Sequence, residues 1–174
     1  LMGVAKDTYR HDGDTYSFVA GFAEVEVDVE TGVVRLVEFL SVGDVGTVVN
    51  PRSLLAQLNG GCALGIAHAL FQKIVYDPHY GLSLSRRFHY NKPMTILDIP
   101  HMQSAALDIA DPETPVGAKG VGEPPVGAGF GAVLNAIADA VGVDAFRRAP
   151  VTSDVVLMTL THGKRMHQPL QSHL

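Results

Sequence analysis

A single cysteine, Cys62, occurs in the 174 residues, so the chain can form no internal disulfide framework and no cysteine-only structural zinc or iron–sulfur site. A reducing compartment follows as the default, and with it a cytoplasmic location. Excess positive charge is also missing. Thirteen Lys and Arg face 18 Asp and Glu, for a net charge of −5, which argues against retention on nucleic acid or anionic membrane by general electrostatics. A small neutral or mildly polar ligand is easier to accommodate. The most apolar helical stretch, residues 54–75, carries Gln57, Asn59, His68, Gln72 and Lys73 and is too polar to span a bilayer. The opening LMGVAKDTYRHDG lacks the apolar core and small-residue cleavage site of a secretory signal, and its first residue, Leu, is what a part of something larger would show. No internal repeat or low-complexity tract is present. What remains is one domain's length of chain with 47% hydrophobic residues, enough for a real core.

Two periodicities organise it. In AEVEVDVETGVVRLVEFLSV, the residues Val25, Val27 and Val29 alternate with Glu24, Glu26 and Asp28, followed by a Thr31-Gly32 turn and a second apolar run, Val33 to Val42. This reads as a β-hairpin with one wet face, and the three acids read as its solvated side rather than as a metal site. The period then changes. Asn50 is an N-cap candidate, Pro51 fits the first helical position, and Leu54, Leu58, Ala63, Ile66, Leu70 and Ile74 follow helical spacing, predicting a helix from Pro51 to about Val75. Gly60, Gly61 and Gly65 each cost such a helix about 1 kcal/mol, which implies close approach by a backbone or a ligand. Gln57, on the neighbouring surface, could offer a heterocycle both a donor and an acceptor; taken alone it reads first as a surface glutamine. Cys62 reads as a small buried hydrophobe and His68 as partly buried.

A turn-rich connection follows, with strand-like pieces at Leu82 to Leu84 and Ser104 to Ile109, of the wrapping kind that is often functional or packed on other domains. His79, His89 and His101 are too far apart in sequence for one helix to gather them around a metal. A second long helix is expected from Pro124 to about Val141. Its Gly127-x-Gly129-x-Gly131 string lacks the strand and the acid of a dinucleotide fingerprint. A short closing helix, Thr152 to Thr161, precedes a polar tail.

Within KGVGEPP, Glu123 is the only acid in a run of small residues. It can serve as a helix entrance, where the dipole favours negative charge, or as a base beside a closely approaching ligand. Three segments in order, AEVEVDVETGVVRLVEFLSVGDVGTVVNPRSLLAQLNGGCALGIAHAL, HYNKPMTILDIPHM and GAKGVGEPPVGAG, resemble the C-terminal part of the molybdenum-binding subunit of the xanthine dehydrogenase/aldehyde oxidase family.

The resemblance implies an α/β (mixed α+β) fold, a hairpin-led sheet packed by two long helices. It implies that residues 1–160 form the C-terminal portion of a molybdopterin-binding domain and 161–174 a tail. It places the catalytic base at Glu123 and cofactor contacts at Gln57, Lys119, Gly120, Val121 and Gly122, with no metal ligand from this chain. The implied cofactor is a molybdenum-pterin, as molybdopterin or its cytosine dinucleotide. Iron–sulfur clusters of the 2Fe-2S type and FAD would reside on partner chains. The implied reaction is hydroxylation of an aldehyde or aromatic N-heterocycle with water as oxygen source. Because such subunits are several times longer, the implied partners are the remaining molybdenum-subunit polypeptide, an iron–sulfur subunit and a flavin subunit. The competing expectation is a noncatalytic assembly module, or a truncated product, that buttresses a cofactor held elsewhere. Two positions depart from the family's pattern: Asn59, where many relatives carry Glu, and His68, often aromatic.

Overall fold

The computed structural model describes residues 1–4, 12–142, 146 and 148–162. Strand β1 (Phe18–Val27) and strand β2 (Val34–Asp44) form the expected antiparallel hairpin. Asp28 lies in the turn rather than on the strand. It accepts from the Glu30 and Thr31 amides, and the Thr31 hydroxyl with those two amides holds its carboxyl below the ordinary value. Glu24 pairs with Glu38 but Val25 pairs with Leu36, so Val37 is an extra residue in β2. Such a bulge flips the side-chain alternation. It is the reason that Leu36 and Phe39, three apart, are both buried.

Helix α1 (Pro51–Leu70) starts as expected, with Asn50 Oδ1 accepting from the Ser53 amide at 3.1 Å. It ends at Leu70, about a turn before the predicted Val75. The β-branched Ile74 and Val75 favour extended backbone, and the chain there turns into an antiparallel bridge between Tyr76 and Ser83. That single bridge is all that forms from the strand expected at Leu82 to Leu84. Strand β3 (His101–Ala106) begins three residues before the predicted piece and pairs in parallel with β2, giving the order β1-β2-β3. Helix α2 (Pro124–Val141) and helix α3 (Ser153–His162) complete the fold. Residues 163–174, where the polar tail was expected, lie outside the described residues.

The core lies where α1 and α2 cover one face of the sheet. Leu58, Cys62, Ile66 and Leu70 recur every four residues on α1, as do Pro125, Gly129, Val133 and Ile137 on α2, and all are buried. Full burial of a side chain such as Ile66 or Ile137 stabilises the fold by about 1.5–3 kcal/mol. The helices touch backbone to backbone: a Cβ at Gly65 would lie 2.1 Å from the Val126 carbonyl oxygen, and one at Gly129 would lie 2.4 Å from that of Cys62. Gly61 meets the Pro125 ring in the same way, whereas nothing lies within 4 Å of Gly60. Two of the three helix glycines therefore serve close packing, and the third does not.

Candidate functional site

Of the predicted site residues, Gln57, Lys119 and Val121 line one cleft, and Gly120, Gly122 and Glu123 are not among its lining residues. The cleft, of about 220 Å³, is lined by Val45 and Thr47 to Asn50 after β2, by Ser53, Leu54 and Gln57 on α1, and by Ala118, Lys119 and Val121. Its far wall is a short antiparallel pairing. Gly46 bridges Ala118, the Thr47 amide donates to the Gly117 carbonyl at 2.7 Å, and the Lys119 amide donates to the Val45 carbonyl at 2.9 Å. Gly46 and Gly117 both adopt φ near +70°, and a Cβ on Gly46 would sit 2.1 Å from the Gly117 oxygen. Only glycine fits this approach. The Ser17 hydroxyl donates to the Gly120 carbonyl and pins the next residue.

Gly122 and Glu123 are placed by α1. The carbonyl oxygen of Gly122 and the ring of Pro125 pack against Gly61, which is one helical turn from Gln57 on the same face. Glu123 therefore heads α2 about one turn along α1 from the Gln57 cleft. It stands at the N-cap position, as the helix-entrance reading requires, but its side chain makes no cap hydrogen bond and is exposed. Gln57 is likewise exposed, while Gly120 and Gly122 have no heavy atom within 4 Å of where a Cβ would stand.

Lys119 behaves differently from the others. Its ammonium pairs with Asp44, at 3.1 Å to both carboxylate oxygens, with Asp111 at 3.9 Å. No sequence signal marks this partnership, since Lys119 and Asp44 are 75 residues apart.

His68 is exposed, not partly buried, because its position on α1 faces away from α2 and the sheet. Asn59 accepts from the Ser104 hydroxyl at 2.6 Å, and Ser104 meets the buried Ser41 at 2.7 Å. Its neutral amide thus terminates a polar chain linking α1, β3 and β2. Burial pushes the neighbouring Cys62 thiol up, opposed in part by a hydrogen bond with Ser41, so this cysteine is an inert packing residue. His101 pairs with Glu38 at 3.2 Å. Among the described residues, no three His, Cys, Asp or Glu side chains gather as a metal-binding group, and no helix is long and apolar enough to cross a membrane.

A cofactor larger than a single ring would find only one edge of its site here, because whole-ligand pockets usually enclose about 300–1,000 Å³. As such an edge the residues fit. The cleft offers an exposed amide with donor and acceptor and apolar walls from Val45, Val48 and Leu54, and Gly120 and Gly122, on either side of Val121, leave backbone open to close approach.

Comparison with known proteins shows the family. The chain is 32% identical over 136 residues to the xanthine dehydrogenase molybdenum-binding subunit of Escherichia coli O157:H7, covering 78% of this chain and 18% of that protein. Its fold matches the crystal structure of a Cu,Mo-CO dehydrogenase with a TM-score of 0.75 at 32% identity, over 82% of this chain and 18% of the other. It matches quinoline 2-oxidoreductase from Pseudomonas putida 86 with a TM-score of 0.73 at 29% identity, over 79% and 18%. The chain thus spans about a fifth of the length of these relatives. Residues 3–100, which include Gln57 but stop short of Lys119 to Glu123, match the family model described as the molybdopterin cofactor-binding domain. With more than half its length so matched, the chain belongs to the molybdopterin cofactor-binding domain family of the molybdenum hydroxylases.

Proposed function

We propose that this chain is the base-bearing, pterin-contacting portion of a molybdenum hydroxylase that oxidises an aldehyde or aromatic N-heterocycle with water as oxygen source, in a cytoplasmic complex. The observation that carries this reading is the convergence of Gln57, Lys119 and Val121 on one cleft, with the uncapped carboxylate of Glu123 a turn away. An assembly-only role leaves that free carboxylate without a purpose.

The molybdenum-pterin group, when bound, supplies the redox centre that takes two electrons from the substrate carbon. Everything else assigned to this chain is binding and proton transfer. Gln57 presents its carbonyl and amide to the heterocycle. The backbone from Ala118 to Gly122 would hold the group's edge, and Gly120 and Gly122 would keep side chains out of its way. Glu123 takes a proton at its carboxylate oxygen from the water-derived nucleophile, as a general base. Pro124 and Pro125 limit the backbone on its C-terminal side and so fix where the carboxylate points.

The rest of the pocket belongs to partners. The connection between α1 and β3 exposes Tyr80, Phe88, Tyr90, Ile96 and Leu97, the last at 93%. Apolar surface of that extent marks an interface. The remaining molybdenum-subunit polypeptide is its occupant in this reading, with an iron–sulfur subunit carrying 2Fe-2S clusters and a flavin subunit carrying FAD completing the electron path.

Gln57→Ala tests the binding half of the proposal. It removes a contact and leaves Glu123 in place, so pterin released per complex falls while the rate per remaining molybdenum changes little. Pterin content equal to wild type removes Gln57 from the cofactor site.

A further inference from the structure

Lys119 forms part of two clefts at once. It lines the Gln57 cleft, and it also lines an acidic hollow with Asp14, Asp44, Asp111 and Glu113, where its ammonium meets Asp44 and Asp111. The side chain is only 11% exposed, and that of Asp111 is 7% exposed. Asp111 is itself held in place, since its amide donates to the Gly117 carbonyl at 2.9 Å and its carboxylate accepts from the Glu113 amide at 2.7 Å. The ammonium thus ties the end of β2 to both ends of the Asp111–Lys119 segment.

We propose that Lys119 is a positioning residue: its charge, committed to Asp44 and Asp111, locks the Ala118–Val121 wall onto the end of β2 and so sets the width of the Gln57 cleft, and it is the wall rather than the ammonium that meets the ligand. This rests on the reading of that cleft as the pterin edge. Asp44, whose side chain is 32% exposed, and the buried Asp111 share one cation, so removing the cation leaves both charges unpaired and removing the Asp44 carboxylate relieves part of that cost. A lysine that contacted the ligand directly would show no such relief.

The experiment compares Lys119→Met, Asp44→Asn, the double variant and Lys119→Arg, with two readouts. The first is hydrogen exchange of the Thr47, Asp111 and Lys119 amides, whose acceptors are the Gly117 and Val45 carbonyls, measured in the 174-residue chain against core amides such as Ile66 and Val133. The second is pterin retained by the purified complex. In Lys119→Met the three wall amides exchange about tenfold faster or more while the core amides hold, and retention falls by about 10- to 100-fold. Adding Asp44→Asn restores part of both, and Lys119→Arg retains most of both. Wall exchange unchanged in Lys119→Met overturns the proposal, as does a loss of retention that Asp44→Asn fails to relieve. A wild-type complex that contains no pterin overturns the functional reading instead, and shows this before any variant is made.

Discussion

Glu123→Gln lowers the rate at which substrate reduces the assembled enzyme under anaerobic conditions by about 10²- to 10⁴-fold per molybdenum, with assembly and cofactor content at wild-type levels. The amide has the shape of the carboxylate but cannot accept the proton at ordinary pH. Its structural cost is small for reasons visible in the fold. The side chain is exposed and makes no cap hydrogen bond, so the substitution breaks no bond within the chain. The lost attraction between a negative charge and the α2 N-terminus is worth about 0.3–1 kcal/mol at most exposed sites. That is too little to unfold a domain and far less than the catalytic loss, of which each factor of ten corresponds to about 1.4 kcal/mol in barrier. A near-normal rate of reduction would remove Glu123 from the chemistry and return it to the helix-entrance role.

The second large effect concerns the helix contact that positions Glu123. Gly65→Ala destabilises the chain by about 1–3 kcal/mol or more, because the new methyl group would meet the Val126 carbonyl at 2.1 Å and the Phe130 amide nitrogen at 2.7 Å. Both neighbours are backbone, so no side chain can swing aside; α1 and α2 must separate, and the Gly122–Pro125 segment that rests on Gly61 moves with them. Gly60→Ala has the opposite sign. With nothing within 4 Å, it gains the helix preference of alanine, about 0.5–1 kcal/mol in the isolated chain. Urea unfolding of the two variants side by side checks the pair. Equal midpoints would show that the helices do not meet at Gly65.

That the two glycines differ in sign also shows where sequence reading stops. Glycine at 60, 61 and 65 announces a contact, but the identity of the contacting glycines depends on where α2 crosses, and nothing local specifies that. The hairpin, the Asn50 cap and the paired long helices were legible because each follows from spacing within a short window. The bulge at Val37 was not, since it arises from fitting two strands to one helical layer. The end of α1 at Leu70 was hidden because Ile74 continues the apolar period, although its branched neighbour Val75 already prefers to extend. Strand β3 lacked a strong signal because the small residues Ser104, Ala105 and Ala106 carry little periodicity, and its parallel partner lies 63 residues away. The candidate site divides in the same manner. Gln57 and Glu123 could be picked out as polar groups among glycines, and their convergence was implied by family resemblance. The commitment of Lys119 to Asp44 and Asp111 could not be read at all, because ion pairing across such separations is a property of the folded loops.

The most direct measurement is the molybdenum and pterin content of this chain purified alone and together with the remaining molybdenum-subunit polypeptide proposed as its partner. An edge of about 220 Å³ cannot retain the whole group by itself, so neither is found in the isolated chain and both, in equal amounts, are found in the complex. A complex that is fully loaded and fully active after this chain has been stripped away would contradict it, and would leave Gln57 and Glu123 as ornaments of an assembly module.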